Sequence, residues 1–144
     1  MVDKSLVMRK IAELERYHGQ VGEFADIGLE EYQKEWKVQR IVERTLQMMI
    51  ETSADIANHI VSDGKMRTPS SYVDTFLVLR ENGVISLELF SVLEKMAKFR
   101  NVVVHQYETV DAAIVILVLR KHLDDFMKFK DAILAFLSSS TKLH

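Results

Sequence analysis

The chain of 144 residues contains no cysteine, and this absence excludes several kinds of protein chemistry at once. Disulfide bridges, thiolate metal sites and a cysteine nucleophile all require that residue. A protein without disulfides suits a reducing compartment, so we expect it in the cytoplasm. A signal peptide is not predicted either, because residues 1–5 lead directly into a charged amphipathic pattern.

Proline occurs only once and no low-complexity run is present, whereas hydrophobic residues make up 48% of the chain. This composition predicts a compact folded protein, and the length fits one domain over residues 1–144. The longest apolar run, residues 112–119, is far shorter than the roughly 20 residues that a membrane span needs. We therefore expect no association with a membrane.

An excess of positive charge is also missing, since the formal net charge is −2 and the pI is about 6.2. Proteins that hold nucleic acid on a broad basic surface have the opposite balance, so any RNA site must be local. Lys37, Arg40 and Arg44 recur at helical spacing and form a candidate patch for positioning RNA phosphates. The alternative is that they are solvated and pair with acids such as Glu35 and Glu43.

Apolar residues recur at spacings of three and four through most of the chain, a pattern that predicts amphipathic helices. The pattern is interrupted at residues 26–28, 62–64 and 82–83, each of which includes a glycine, and a kink is expected near residues 34–37. We predict an all-α fold, an antiparallel up-and-down bundle of four to five helices. The expected N-caps of the later helices are Ser70 or Ser71, Ser86, and Thr109 or Asp111.

The segment that begins at residue 112 is apolar on every side. Its β-branched residues would also suit a strand, but the pattern continues without a breaker to residue 137, and that length favours a helix. A helix that is apolar all round is either central in the bundle or covered by another subunit.

One stretch, from Arg100 to Tyr107, contains an arginine, an amide, a histidine and a phenol within eight residues. At about 100° per residue, Arg100 and His105 lie roughly 140° apart on an ideal helix. Both can reach one small group only if the helix kinks or ends there, or if a second copy of the chain contributes. The spacing therefore predicts an irregular helix or a dimer.

These residue types suit the cleavage of RNA without a metal. An imidazole takes the proton from a ribose 2′-hydroxyl, or gives one to the leaving 5′-oxygen, near neutral pH. A guanidinium stays charged and binds phosphate through paired N–H groups, so it stabilises the charge that develops during cleavage. In the structural alternative, Arg100 pairs with an acid at a helix end, and His105 caps carbonyls or lies at the bundle surface.

A second candidate site lies earlier, where Glu51, Asp55 and His59 share a helix face. Helix bundles bind metals with such residues, but the Glu-x-x-His pairs of di-iron bundles are missing. We therefore predict no metal and no other cofactor. Glu51 and Asp55 are expected to border the cleft or to form hydrogen bonds on the helix surface.

The sequence Arg-Asn-x-x-x-His-x-Tyr after an amphipathic helix resembles the R-x4-H-x-Y motif of HepT proteins, toxins of the HEPN superfamily. R-x4-H alone is a weak signal, because arginine and histidine often fall at that spacing by chance. The resemblance extends over most of the chain and keeps the expected order. It includes Val38-Gln39-Arg40, residues 51–60, Pro69 to Tyr72, Gly83 to Ile85 and Met96 to Arg100.

The resemblance implies a helical HEPN fold, an activity, a partner and a means of control. Arg100 and His105 would be the catalytic residues of a metal-independent endoribonuclease, and Asn101 would position the substrate or the histidine. The chain would form a homodimer, with two copies of the motif at one cleft. It would be paired with a minimal nucleotidyltransferase antitoxin, called MntA, which neutralises HepT-type toxins by transferring AMP to the tyrosine of the motif, here Tyr107.

Two classes of function remain after this comparison. The first is the endoribonuclease toxin of a type II toxin–antitoxin system, and the second is a non-catalytic helical module that binds a nucleotidyltransferase. The intact motif favours the first. For Tyr107 the alternative to an AMP acceptor is a tyrosine at an interface, with its ring buried and its hydroxyl in water.

Overall fold

The computed structural model describes residues 2–105 and 110–142, with side chains up to residue 139. Within these ranges every regular element is an α-helix and no strand occurs, which confirms the predicted all-α class. The helices are α1 (Lys4–Gly22), α2 (Leu29–Lys34), α3 (Trp36–Asp63), α4 (Tyr72–Glu81), α5 (Leu87–His105), α6 (Ala112–Lys121) and α7 (Leu123–Lys142).

Four long helices, α1, α3, α5 and α7, form the bundle, and three short helices connect or cover them. The longest, α3, has 28 residues and packs against α1, α2, α4, α5 and α7. Its buried side chains are accordingly spread along its whole length, from Val42 to Val61. Phe76 of α4 and Phe129 of α7 meet edge to face beside it, with ring centroids 6.0 Å apart.

The kink expected near residues 34–37 is present as a complete break between α2 and α3. Glu35 leaves the helical conformation, with φ −111° and ψ 83°. The side-chain amide of Gln39 donates to the carbonyl oxygens of Tyr32 and Gln33, at 2.8 and 3.2 Å. These carbonyls lie in the last turn of α2, and the Tyr32 carbonyl also accepts from the Glu35 N–H at 3.3 Å.

The start of α4 is held by hydrogen bonds between its first turn and the residues that precede it. Ser71 caps it by accepting a hydrogen bond from the Asp74 N–H at 3.0 Å. Arg67, in the preceding loop, donates from Nη1 and Nη2 to the two carboxylate oxygens of Asp74, at 2.9 and 2.7 Å. The hydrogen bonds from Arg67 hold the pKa of Asp74 well below its usual value. Tyr72, the first residue of α4, therefore lies on an anchored helix start.

Two later helix starts also follow the predicted capping. The Ser86 hydroxyl accepts from the Leu89 N–H at 3.1 Å, and the Asp111 carboxylate accepts from the Ala113 N–H at 2.9 Å. Thr109, the alternative cap, lies outside the described residues.

The prediction of one unbroken helix from residue 112 to residue 137 is wrong, because α6 ends at Lys121 and α7 begins at Leu123. At the break, the His122 ring nitrogen Nδ1 lies 2.9 Å from the Asp125 carboxylate, and the Asp125 N–H donates to the His122 carbonyl. Acidic residues in the first turn of α7 also favour a helix start, through the helix dipole.

Helix α6 is only partly enclosed by its own chain. One side is buried through Val115 and Leu119, whereas Ile114 and Leu117 are 47% and 46% exposed. This apolar helix was expected either at the centre of the bundle or at an interface with another subunit. In the single chain one face of α6 stays exposed, and another subunit can cover it. Across the described part of the chain, no helix combines the length and apolar character required to cross a membrane.

Candidate active site

The Arg-Asn-x-x-x-His stretch occupies the last turns of α5. The helix continues through Arg100 and Asn101 and ends at His105, its last residue. Arg100 is half-buried, whereas Asn101 and His105 are exposed. The segment that joins Arg100 to His105 is therefore helical, and residues 106–109, which follow it, lie outside the described residues.

Arg100 is held by residues from three helices. Its Nε and Nη2 donate to the same oxygen, Oε1 of Glu51 on α3, at 3.1 and 2.8 Å. Its Nη1 donates to Oδ1 of Asn101 at 3.2 Å. The ring of Tyr72 on α4 lies against the guanidinium, with 4.8 Å between the ring centroid and Cζ. The position of this cation is therefore set by α3, α4 and α5 together.

The Glu51–Arg100 pair is largely shielded from solvent, with side-chain exposures of 24% and 19%. Gln47, one turn earlier on α3, also donates to Oε1 of Glu51, at 3.2 Å. Burial raises the pKa of Glu51, but the hydrogen bonds from Arg100 and Gln47, with the charges of Arg100 and Arg44, lower that pKa on balance. Glu51 is consequently ionised at neutral pH.

The guanidinium keeps donors for a ligand after these contacts. Arginine has five N–H groups, and the contacts with Glu51 and Asn101 use three of them. Among the contacts of the described residues, one N–H on each terminal nitrogen is not used. These two N–H groups are available to the oxygens of a phosphate.

His105 does not take part in these contacts. On the helical segment it lies roughly 140° around the axis from Arg100. His105 is exposed, whereas Arg100 faces α3. Asn101, which contacts Arg100, is four residues from His105 and roughly 40° from it. One chain therefore presents Arg100 and His105 on different sides of α5, with Asn101 between them.

The candidate RNA-positioning residues lie along α3 toward Arg100. Arg44 and Arg40 precede Glu51 by two and three turns, on the same side, roughly 10 and 16 Å along the axis. Arg40 is exposed and contacts Glu43 at 3.3 Å, which agrees with the structural alternative for that residue. Lys37 lies over the ring of Trp36, with Nζ 5.7 Å from the centroid.

The second candidate site is divided between different partners. Glu51 turns to Arg100, whereas Asp55 is 3.8 Å from Lys10 of α1 and is exposed. Within the described residues, no three side chains of the types that bind metals come together. The expectation that Glu51 borders the cleft agrees with its contact to Arg100.

Glu51 and Tyr72 both contact Arg100, and the sequence did not predict either contact. Glu51 was considered as a candidate metal ligand and was expected to border the cleft or to form hydrogen bonds on the helix surface, and Tyr72 was expected only as part of a helix. Residue spacing carries no signal for either contact, because Glu51 is 49 residues from Arg100 along the chain. Tyr107, the predicted AMP acceptor, lies outside the described residues.

Comparison with known proteins extends over nearly the whole chain. The model of the family of HepT-like ribonucleases matches residues 11–133. An mRNA nuclease HepT of Shewanella oneidensis is 33% identical over 130 residues, which are 90% of this chain and 97% of that protein. A tRNA nuclease HepT of Aphanizomenon flos-aquae is 27% identical over 112 residues, 76% of this chain and 75% of that protein.

Solved structures give the same result for the fold. A chain in a crystal structure of a toxin–antitoxin with AMP-PNP has a TM-score of 0.85 and 32% identity, with 91% of this chain and 98% of that chain covered. A structure of a tri-AMPylated Shewanella oneidensis HEPN toxin in complex with an MNT antitoxin gives a TM-score of 0.84 and 32% identity, with 94% and 99% covered.

Proposed function

Because the chain belongs to the family of HepT-like ribonucleases, we propose that it is a metal-independent endoribonuclease and the toxin of a type II toxin–antitoxin pair. The observation that carries the proposal is the fixed guanidinium of Arg100, with an N–H on each terminal nitrogen outside its contacts with Glu51 and Asn101. A fixed cation at the scissile phosphate stabilises the charge that develops there, without rearranging during the reaction.

Cleavage proceeds by attack of the ribose 2′-oxygen on the adjacent phosphorus. An imidazole of His105 takes the 2′-hydroxyl proton as the new P–O bond forms, and the bond to the 5′-oxygen breaks. The same imidazole, protonated by this transfer, gives that proton to the leaving 5′-oxygen. The products are a 2′,3′-cyclic phosphate on the 5′ fragment and a 5′-hydroxyl on the other fragment. Arg100 stabilises the additional negative charge on the phosphate oxygens.

The reaction needs a second copy of the chain. Arg100 faces α3, whereas His105 is exposed on another side of α5, so one chain does not direct both groups at one phosphate. Exposed apolar side chains are available for an interface, namely Val102 of α5 and the pair Ile114 and Leu117 of α6. We propose a homodimer in which Arg100 of one copy and His105 of the other act on the same phosphate. Asn101, which accepts a hydrogen bond from Arg100 of its own copy, positions the substrate or the histidine.

A mixing experiment tests this composite site. Arg100→Ala and His105→Ala chains with different affinity tags are co-expressed, and the mixed dimer is isolated and incubated with RNA in the presence of EDTA. Each homodimer is expected to be inactive, and the mixed dimer to be active, because one of its two sites contains both native residues. If the mixed dimer is inactive while the native protein cleaves RNA, the two groups do not act across the dimer.

The basic side chains of α3 are assigned to the flanking RNA. Arg44 and Arg40 lie on the same side of α3 as Glu51, and the charge of Arg44 lowers the pKa of Glu51. They bind neighbouring phosphates as positive charges, with Lys37 at the far end of the row. Replacing them one at a time by alanine should weaken RNA binding and reduce its dependence on salt.

The partner is proposed to be a cognate minimal nucleotidyltransferase that acts as the antitoxin in the cytoplasm. Support comes from the similar toxin that was solved tri-AMPylated and in complex with an MNT antitoxin. Tyr107 is the proposed acceptor, because it is the tyrosine of the motif. Attached AMP would add negative charge and bulk to the motif, and its phosphate would compete with the RNA phosphate for Arg100.

A further inference from the structure

Glu51 and Tyr72 lie outside the Arg-Asn-x-x-x-His-x-Tyr stretch, but both contact its arginine. We infer that they are positioning residues for catalysis: they hold the Arg100 guanidinium so that the edge formed by its two terminal nitrogens faces the scissile phosphate. The inference rests on the proposed function, because it gives both residues a part in the same RNA cleavage.

Glu51 determines which edge of the guanidinium is available. Its Oε1 accepts from Nε and Nη2, the two nitrogens of the side edge, at 3.1 and 2.8 Å. Gln47 donates to the same oxygen, so the carboxylate is itself held in place. With the side edge engaged by an ordered anion, rotation of the guanidinium is restricted and the terminal edge keeps one direction.

Tyr72 determines the tilt of the guanidinium plane. Its ring centroid lies 4.8 Å from Cζ of Arg100, within the range of a cation–π contact. Tyr72 opens α4, next to the Ser71 cap and the hydrogen bonds from Arg67 to Asp74. The ring is therefore carried by an anchored helix start, and the Arg100 side chain rests against a fixed surface.

The carboxylate of Glu51 also has an unfavourable effect on RNA binding. This effect on KM allows a positioning role to be distinguished from a merely structural one. Its negative charge lies next to the site where RNA phosphates bind, so it weakens substrate binding. Removing it should therefore lower KM even when kcat falls. A residue that only stabilises the fold would not lower KM and kcat together.

The test compares Glu51→Ala with Glu51→Gln. Both variants lose the negative charge, so both should bind RNA more tightly. The glutamine oxygen still accepts from Arg100, so Glu51→Gln should keep a kcat close to native. Glu51→Ala leaves Arg100 without that acceptor, and kcat should fall about 10- to 100-fold. Asp55→Asn is the matched control: it removes a carboxylate one turn further along α3 that pairs with Lys10, and it should leave kcat unchanged.

The same comparison is made for the aromatic contact. Tyr72→Phe keeps the ring and should retain kcat, whereas Tyr72→Leu removes the π face and should lower kcat. Tyr17→Leu is the control, because Tyr17 makes the same kind of contact with Arg16, at 5.2 Å, on α1. Circular dichroism verifies that each variant is folded.

A direct measurement of Arg100 completes the test. In ¹⁵N-labelled protein the Nε–H of Arg100, assigned with Arg100→Lys, should exchange slowly with water in the native chain and in Glu51→Gln. It should exchange quickly in Glu51→Ala. Unchanged exchange and kcat in Glu51→Ala would overturn the inference, as would a Glu51→Gln variant as slow as Glu51→Ala. If the native chain cleaves no RNA, the proposed function fails and the inference falls with it; native cleavage with an unaffected Glu51→Ala refutes the inference alone.

Discussion

Arg100→Lys separates the charge of residue 100 from the geometry of its donors. In the native chain three nitrogens of Arg100 donate in fixed directions, to Glu51 and Asn101, while an N–H on each terminal nitrogen is assigned to phosphate. Lysine has one nitrogen with three N–H groups around a single point. That nitrogen cannot keep the contact with Glu51 and also present two parallel donors to a phosphate.

The size of the effect follows from the donors that are lost. Lysine at position 100 forfeits at least one of the two proposed hydrogen bonds to the phosphate in the transition state. Removing one preorganised donor of this kind costs on the order of 10²–10³ in kcat, about 3–4 kcal/mol of transition-state stabilisation. Because the positive charge is retained, RNA binding should change much less than kcat.

Single-turnover cleavage of a 5′-labelled single-stranded RNA, with protein in excess and EDTA present, measures this effect. Arg120→Lys is the control, since Arg120 donates to the backbone carbonyl of Ile27 at 3.3 Å and has no assigned role in the reaction. We expect Arg120→Lys to cleave at the native rate. Cleavage by Arg100→Lys at a rate close to native would refute the argument that paired donors, rather than charge, make Arg100 catalytic.

Three further predictions test other parts of the account. Tyr107→Phe should retain most of the cleavage activity and escape neutralisation; mass spectrometry after co-expression with the partner should find AMP on the native chain only, and AMP on another residue would contradict the assignment. Ile114→Asp with Leu117→Asp places charge on an exposed apolar face and should shift sedimentation toward the monomer, whereas an unchanged dimer would show that this face is not the interface. The Glu51–Arg100 pair should stabilise the fold at pH values above the usual carboxyl pKa, and this stabilisation should be lost as the pH falls through the lowered pKa of Glu51. The thermal unfolding temperature of Glu51→Gln should therefore depend less on acid pH than that of the native chain. An unchanged dependence would show that the pair does not contribute to stability.

Local sequence signals predicted most of the fold. Capping residues such as Ser71, Ser86 and Asp111 act within a few residues of themselves, so their effect is visible in the sequence. The break at His122 was missed because no glycine or proline marks it. It depends on a side-chain contact with Asp125 and on how α6 and α7 pack, which an apolar pattern does not encode.

The candidate site also has one part that the sequence predicted and another that depends on helix packing. Arg100, Asn101 and His105 were predicted as site residues because they lie close together in the sequence and resemble a known motif. The contact of Arg100 with Glu51 exists only because α3 and α5 pack against each other, and it links positions 49 residues apart. Periodicity did indicate the relative directions of Arg100 and His105, because α5 stays helical as far as His105.

The central claim is that Arg100 and His105 cleave RNA without a metal ion. The most direct measurement is end-group analysis of a 5′-labelled RNA incubated with the purified native chain and with His105→Ala, both in EDTA. We expect a 2′,3′-cyclic phosphate on the 5′ fragment from the native chain and a rate about 10²–10⁴-fold lower for His105→Ala. Undiminished cleavage by His105→Ala, or cleavage only after a divalent ion is added, would contradict it.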